Sequence, residues 1–257
     1  MLKVRIIPTL LYKDFGLVKG RSFESWRRIG PVLPAVKIFN SREVDELIFL
    51  DITSTNKGIN PDYESISELS KFCFVPLTVG GGINKIEQVD KLIEIGADKV
   101  SINSASYEDS EIISKVANRF GKQCIVASID VKFENNKWIC YKNSGLKRTN
   151  KNLLKWAKEL ESLGAGEILI TSIDRDGSMK GYDQELISLL TKSLRIPVIA
   201  SGGAGPYDDL FLAVSNAGAS AVAASSIFQF TESTPNDVKN YLRAKGMPVR
   251  KNYSDIF

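Results

Sequence analysis

Eight short apolar runs, each followed by an amphipathic stretch, constrain the fold of this chain more than any other feature. The runs are Val4–Leu10, Glu46–Ile52, Phe74–Val79, Lys99–Ile102, Cys124–Asp130, Glu167–Thr171, Pro197–Ser201 and Ala221–Ala224. Helical patterns follow at Pro34–Phe39, Pro61–Lys71, Ile86–Glu94, Glu108–Asn118, Leu153–Leu163, Gln184–Thr191, Tyr207–Asn216 and Val238–Lys245. The runs are continuous and rich in Val and Ile, which means burial on both faces and hence a parallel sheet. Eight strand–helix units in 257 residues fit a closed (β/α)8 TIM barrel better than an open sheet. The segment Val131–Lys142 alternates with period two around Asn135-Asn136 and predicts a β-hairpin inserted after strand five.

The chain repeats itself at roughly half its length. Val79-Gly80-Gly81-Gly82 resembles Ala200-Ser201-Gly202-Gly203, and Gly96–Val100 resembles Gly218–Val222. Leu50-Asp51-Ile52 resembles Ile170-Thr171-Ser172. Such an offset points to two four-strand halves, roughly 1–120 and 121–245, rather than a short-period solenoid. No Pro/Gly/Ser linker separates them, so one domain over 1–257 is expected, with a tail at 247–257 that forms an arm or stays disordered.

The repeat predicts two matching anion grips. Glycine turns at Gly80-Gly81-Gly82 and Gly202-Gly203 let backbone N–H groups approach a phosphate. The next strand of each half ends in small polar residues, Asn103-Ser104 and Ala224-Ser225, each opening a helical turn whose amides bind anions. Asp51, Asn103, Thr171, Asp176 and Ser201 are expected to face the same mouth. The turn Asp174–Gly177 reads as a ligand-facing turn rather than a metal site, and no cofactor is expected. Trp26 and Trp156 read as core or interface residues.

Composition removes several chemistries. There is no histidine, so proton transfer falls to Asp, Glu, Lys, Tyr or water. Three scattered cysteines form no C-x-x-C and read as reduced residues of a cytoplasmic protein. The net charge of +4 is spread out, which argues against nucleic acid as partner. No run approaches the ~18 apolar residues of a membrane span, and none reads as a signal peptide. The stretch Lys142–Lys151 is the one basic cluster, either a cover for a ligand phosphate or a solvated loop.

These motifs carry a resemblance to the HisF cyclase subunit of imidazole glycerol phosphate synthase over nearly the whole chain. The matching stretches are Val18-Lys19-Gly20, Leu50–Thr53, Thr78–Ile83, Gly96–Asn103, Ile129-Asp130, Gly164–Gly177, Gly181–Asp183 and Ala200–Gly205. The resemblance implies a HisH-like glutaminase partner that delivers ammonia through the barrel. It also implies a floor ring, an ammonia gate, at Arg5, Glu46, Lys99 and Glu167, and a ligand-phosphate contact at Lys19. That family uses two aspartates, ending strands one and five. Asp130 matches the second, but Leu11 stands at the first, and leucine cannot move a proton. Asp14, three residues on, is the nearest candidate substitute.

A narrower resemblance runs through Pro8–Leu11, Gly16–Lys19, Ile29–Pro31, Phe39-Asn40 and Val44–Leu47. It is to HisF-like proteins of surface-polysaccharide (LPS O-antigen) gene clusters, where an N-acetyl group on a nucleotide sugar becomes an acetamidino group. Amide activation there needs ATP, and this chain has no G-x-x-x-x-G-K-[ST] loop, so a separate ATP-dependent N-acetyl sugar amidotransferase is implied. Three readings follow: an acetamidino-forming synthase subunit, a cyclase–lyase of histidine biosynthesis, or a silent ammonia-channelling scaffold.

Overall fold

The computed structural model describes residues 3–14 and 16–252. Eight parallel strands close on themselves: β1 (Arg5–Lys13), β4 (Leu47–Asp51), β5 (Leu77–Gly80), β6 (Lys99–Ile102), β7 (Ile125–Glu134), β10 (Glu167–Ser172), β11 (Val198–Ser201) and β12 (Ala221–Ala224), with β12 returning to β1. Helices lie between consecutive strands, so this is the (β/α)8 barrel the strand count predicts.

Alternation along each strand sorts its side chains. Ile7, Ile48, Val126, Leu169, Ile199, Ala221 and Ala223 form a closed cluster inside the barrel. Their neighbours, such as Ile6, Phe49, Ala127 and Ile168, belong to the larger core outside it. Strands buried on both faces explain why the sequence runs are continuously apolar.

Two strands are longer than the apolar runs suggest. β1 ends at Lys13 and β7 at Glu134, and both continue beyond the barrel rim into antiparallel pairing. The extension of β7 turns through Asn135 and Asn136, with φ of 48° and 60°, into β8 (Lys137–Lys142), and β9 (Lys147–Asn152) adds a third strand. The predicted hairpin is therefore one strand larger. Half of the basic stretch, Lys147–Lys151, lies in the largely exposed strand β9, while Lys142 is buried against Glu108. The extension of β1 meets β2 (Gly16–Arg21), which pairs with β3 (Glu24–Gly30). The pattern of apolar runs gives no sign of this second hairpin.

Other differences are local. Phe74 is 81% exposed, because the third strand starts only after Pro76. The helix expected at Glu108–Asn118 divides into Ser104–Glu108 and Glu111–Phe120. The tail is ordered where described: Val249 bridges Val4, and Arg250 binds Asp45. Residues 253–257 of the predicted tail lie outside the described residues. No helix among the described residues is long and apolar enough to cross a membrane.

Candidate functional site

The floor of the barrel is a closed ring of four charges. Arg5, Glu46, Lys99 and Glu167 stand at or just before the starts of β1, β4, β6 and β10. Arg5 Nη1 lies 2.9 Å from Glu46 and 3.0 Å from Glu167, and Lys99 Nζ lies 2.7 Å from Glu46 and 2.8 Å from Glu167. Each cation therefore bridges both anions. Buried charges persist only with such compensation. Burial opposes the Arg5 charge, but Glu167 and Glu46 outweigh it and raise its pKa further. The sequence-predicted ring is thus brought together as one unit.

At the opposite, C-terminal end the strands open into a cavity of about 280 Å³. It gathers every predicted ligand residue: Lys19, Asp51, Gly81, Gly82, Asn103, Ser104, Thr171, Asp176, Gly177, Ser201, Gly202, Gly203, Ala224 and Ser225, together with Asp130. The glycine turns need glycine. A Cβ on Gly81 would sit 2.0 Å from the Asp51 carbonyl oxygen, and one on Gly202 2.5 Å from that of Ser172. Both have left-handed φ, 105° and 86°. The helical turns opposite them match as well. Asn103 and Ser225 cap short helices at Ser104–Glu108 and Ser226–Phe230 with φ of −119° and −130°.

Four polar atoms in the cavity wall are buried without a hydrogen-bond partner: Thr9 Oγ1, Asn103 Oδ1, Ser225 Oγ and Ser226 Oγ. Orphaned polar atoms cost free energy unless a ligand or water pairs them. Some predicted contacts are already engaged. Asp51 accepts the Thr53 and Ser54 amides at 2.8 and 3.1 Å, so it shapes the turn after β4. The Gly82 amide donates to Thr55 Oγ1 at 3.0 Å, and Ser104 Oγ accepts from the Asn143 amide at 2.8 Å.

Lys19 departs from its expected place. Expected to contact a ligand phosphate, it lies on β2 with its ammonium buried against Asp176 at 2.9 and 3.1 Å. Ser22 adds a backbone bond to Asp176, so the hairpin is clasped onto the turn after β10. Phe23 and Trp26 of that hairpin line the cavity. Trp26 is thus a mouth residue, whereas Trp156 is fully buried core.

Asp130 sits beside this clasp. Burial pushes its carboxyl up to about 7, Thr171 hydrogen bonding opposes the rise, Asp176 reinforces it, and Asn103 Nδ2, at 2.8 Å, opposes it. A carboxyl poised near neutrality suits general acid–base work. The first-half counterpart is Leu11, 8% exposed in the same cavity. Asp14 does not replace it. Its side chain is 58% exposed, pairs with Lys57 at 3.0 Å and is absent from the cavity lining. Asp14 lies just past the end of β1, with φ of 47°. The Asp174–Gly177 turn makes protein contacts: Asp174 accepts the Phe133 amide at 2.8 Å. Among the described residues no cluster of three or more Cys, Asp or Glu could hold a metal.

Sequence reasoning missed Thr9, Leu50, Ile52, Phe23, Ser128 and Ser226 of the lining. The period-two pattern of β1, β4 and β7 would have found Thr9, Leu50 and Ser128, which share the inward face with Leu11 and Asp130. Phe23 carried no signal, since its hairpin was not recognised.

Residues 5–234 match the family described as histidine biosynthesis protein. The chain is 47% identical to a Campylobacter jejuni protein provisionally named imidazole glycerol phosphate synthase subunit hisF2, over 97% of this chain and 99% of the relative. It is 46% identical to the imidazole glycerol phosphate synthase subunit HisF of a Dehalococcoides mccartyi strain, with the same coverage. The corresponding HisF subunit of Chlorobaculum parvum is 44% identical over 97% of this chain and its own full length. Matched from floor ring to mouth, the chain belongs to the histidine biosynthesis protein family, as a HisF-type member.

Proposed function

We propose that this chain is an ammonia-using synthase subunit of the imidazole glycerol phosphate synthase type. A glutaminase partner seats over the floor and releases ammonia at the charged ring. The ammonia passes along the barrel axis to a ligand whose two anionic ends rest on the two glycine-lined grips. Asp130, close to neutrality, gives or takes a proton there. The observation that carries this reading is the closed ring of Arg5, Glu46, Lys99 and Glu167 directly beneath a cavity with paired grips. The names of the relatives favour imidazole glycerol phosphate formation over a surface-polysaccharide role.

Leu11 favours a second reading. With one carboxylate of an acid–base pair missing, ring closure is slow. Ammonia could then serve conversion of an N-acetyl group on a nucleotide sugar to an acetamidino group, with amide activation by an ATP-dependent partner. A single assay separates the two. The purified barrel is given the ribulosyl bisphosphate substrate and an ammonium salt, and imidazole glycerol phosphate is measured. Product supports the first reading. Its complete absence, with amidine formation in a reconstituted three-component system, supports the second.

A further inference from the structure

The hairpin of β2 and β3 is pinned along its length to the second half of the barrel. Lys19 pairs with Asp176 at 2.9 Å, and the Ser22 amide donates to the Asp176 carbonyl. Gly177 approaches Gly20 so closely that an added Cβ would sit 2.3 Å from the Gly20 carbonyl oxygen. Phe23 lies against Gly145, beside Ile173. Farther along, the Arg27 guanidinium sits 3.9 Å from the ring centre of Phe230, in the helical turn Ser226–Phe230. The hairpin is thus fixed beside the second-half grip of Gly202, Gly203 and Ser225. Ser225 Oγ and Ser226 Oγ are buried there without hydrogen-bond partners.

Along β3, Trp26 alone lines the cavity. Its neighbours Glu24, Ser25, Arg27 and Arg28 are exposed, whereas Trp26 is partly buried. The pairing of β2 with β3 shifts register between Lys19 and Arg21, and Gly20 lies against the indole, where an added Cβ would meet the ring at 2.8 Å. Among the described residues no other ring stacks on Trp26, no cation sits over it and neither apolar cluster includes it. A large aromatic held on a fixed hairpin, and not spent on packing, offers a π face to the cavity. We propose that Trp26 is a stacking platform for a planar heterocycle carried on a ribose phosphate, with the phosphate on the grip of Gly202, Gly203 and Ser225. Stacking of one base on an aromatic side chain is worth roughly five-fold to a hundred-fold in affinity. The inference rests on the anion-grip reading of the mouth and narrows the class of ligand that it takes.

Calorimetric titration of the whole chain with adenosine 5′-monophosphate and ribose 5-phosphate tests it. The probes share the phosphate and the ribose and differ in the base. The wild type should bind the nucleotide at least ten-fold tighter. Trp26→Leu should erase most of that preference while leaving ribose 5-phosphate binding within about two-fold, and Trp26→Phe, which keeps a π face, should retain most of it. Nucleotide binding by the wild type no tighter than that of ribose 5-phosphate, or an unchanged ratio in Trp26→Leu, would overturn the platform while leaving the grip standing. A loss in Trp26→Phe as large as in Trp26→Leu, or loss of both probes in Trp26→Leu, would also overturn it, since Trp26 would then only shape the hairpin. Binding of neither probe by the wild type would overturn the anion-grip reading and the platform with it.

Discussion

Leu11 and Asp130 occupy equivalent places in the two halves of the barrel. Each ends the inward-facing row of a strand that runs on past the rim into a hairpin. Each also neighbours the inward residue of the next strand, Leu50 or Thr171. Of these two equivalent positions, only Asp130 carries a group that can move a proton.

That carboxyl makes stability depend on pH in a predictable direction. Its pKa in the fold is about 7 against an ordinary 3.8, so the folded chain holds the proton more tightly than the unfolded one. The neutral form's contribution is fully present below about pH 4 and is lost as pH rises through about 7. The lost stability is roughly 4 kcal/mol. Asp130→Asn removes this term. Melting temperatures measured between pH 4 and 8 should therefore fall in the wild type relative to Asp130→Asn. A constant difference between the two would contradict the assignment.

The floor ring predicts a split between ammonia sources. Arg5→Ala leaves Glu46 and Glu167 sharing Lys99 alone. Arg5 is partly exposed, so the stability loss should be about 2 kcal/mol rather than the larger value of a fully buried pair. With a glutaminase partner, the glutamine-driven rate should change several-fold, while the rate with saturating ammonium salt should stay within about two-fold. Parallel changes in both rates would count against a gate.

The Lys19–Asp176 clasp predicts a local effect. Lys19→Met removes the ammonium and leaves the buried Asp176 without its partner. Hydrogen exchange followed by mass spectrometry should show at least ten-fold faster exchange in 16–30, with the barrel strands unchanged. The same mutation should push the Asp130 carboxyl higher still, since Asp176 then bears an uncompensated charge.

The grips predict which glycines matter. Gly81→Ala and Gly202→Ala place a methyl against the Asp51 and Ser172 carbonyls at left-handed φ. Gly58 shares a left-handed φ of 62° but has nothing within 4 Å of an added Cβ. Titration with inorganic phosphate should therefore show weakened binding in the first two variants, by about ten-fold, and near-normal binding in Gly58→Ala.

The barrel and its site were legible to different depths. Val and Ile runs mark double-sided burial, so all eight strands could be read, and the glycine turns could be paired through the repeat. The Asn135-Asn136 turn carries the residue type that tolerates positive φ, and its hairpin was visible. The hairpin after β1 turns through Ser22 and Phe23, with φ of 51° and 62°, and neither is the Asn, Asp or Gly that marks such a left-handed hairpin turn. Lys19 and Trp26 were misplaced for that reason. The repeat was also read one residue off: Leu50, not Asp51, corresponds to Thr171, as only the strand register reveals.

The most direct test of the account is ammonium-driven formation of imidazole glycerol phosphate by the wild type and by Leu11→Asp. A positioned acid or base contributes roughly a hundred-fold or more. The account predicts slow but measurable product from the wild type and at least ten-fold faster product once Asp stands opposite Asp130. No product from either protein, with folding and phosphate binding intact, would contradict it.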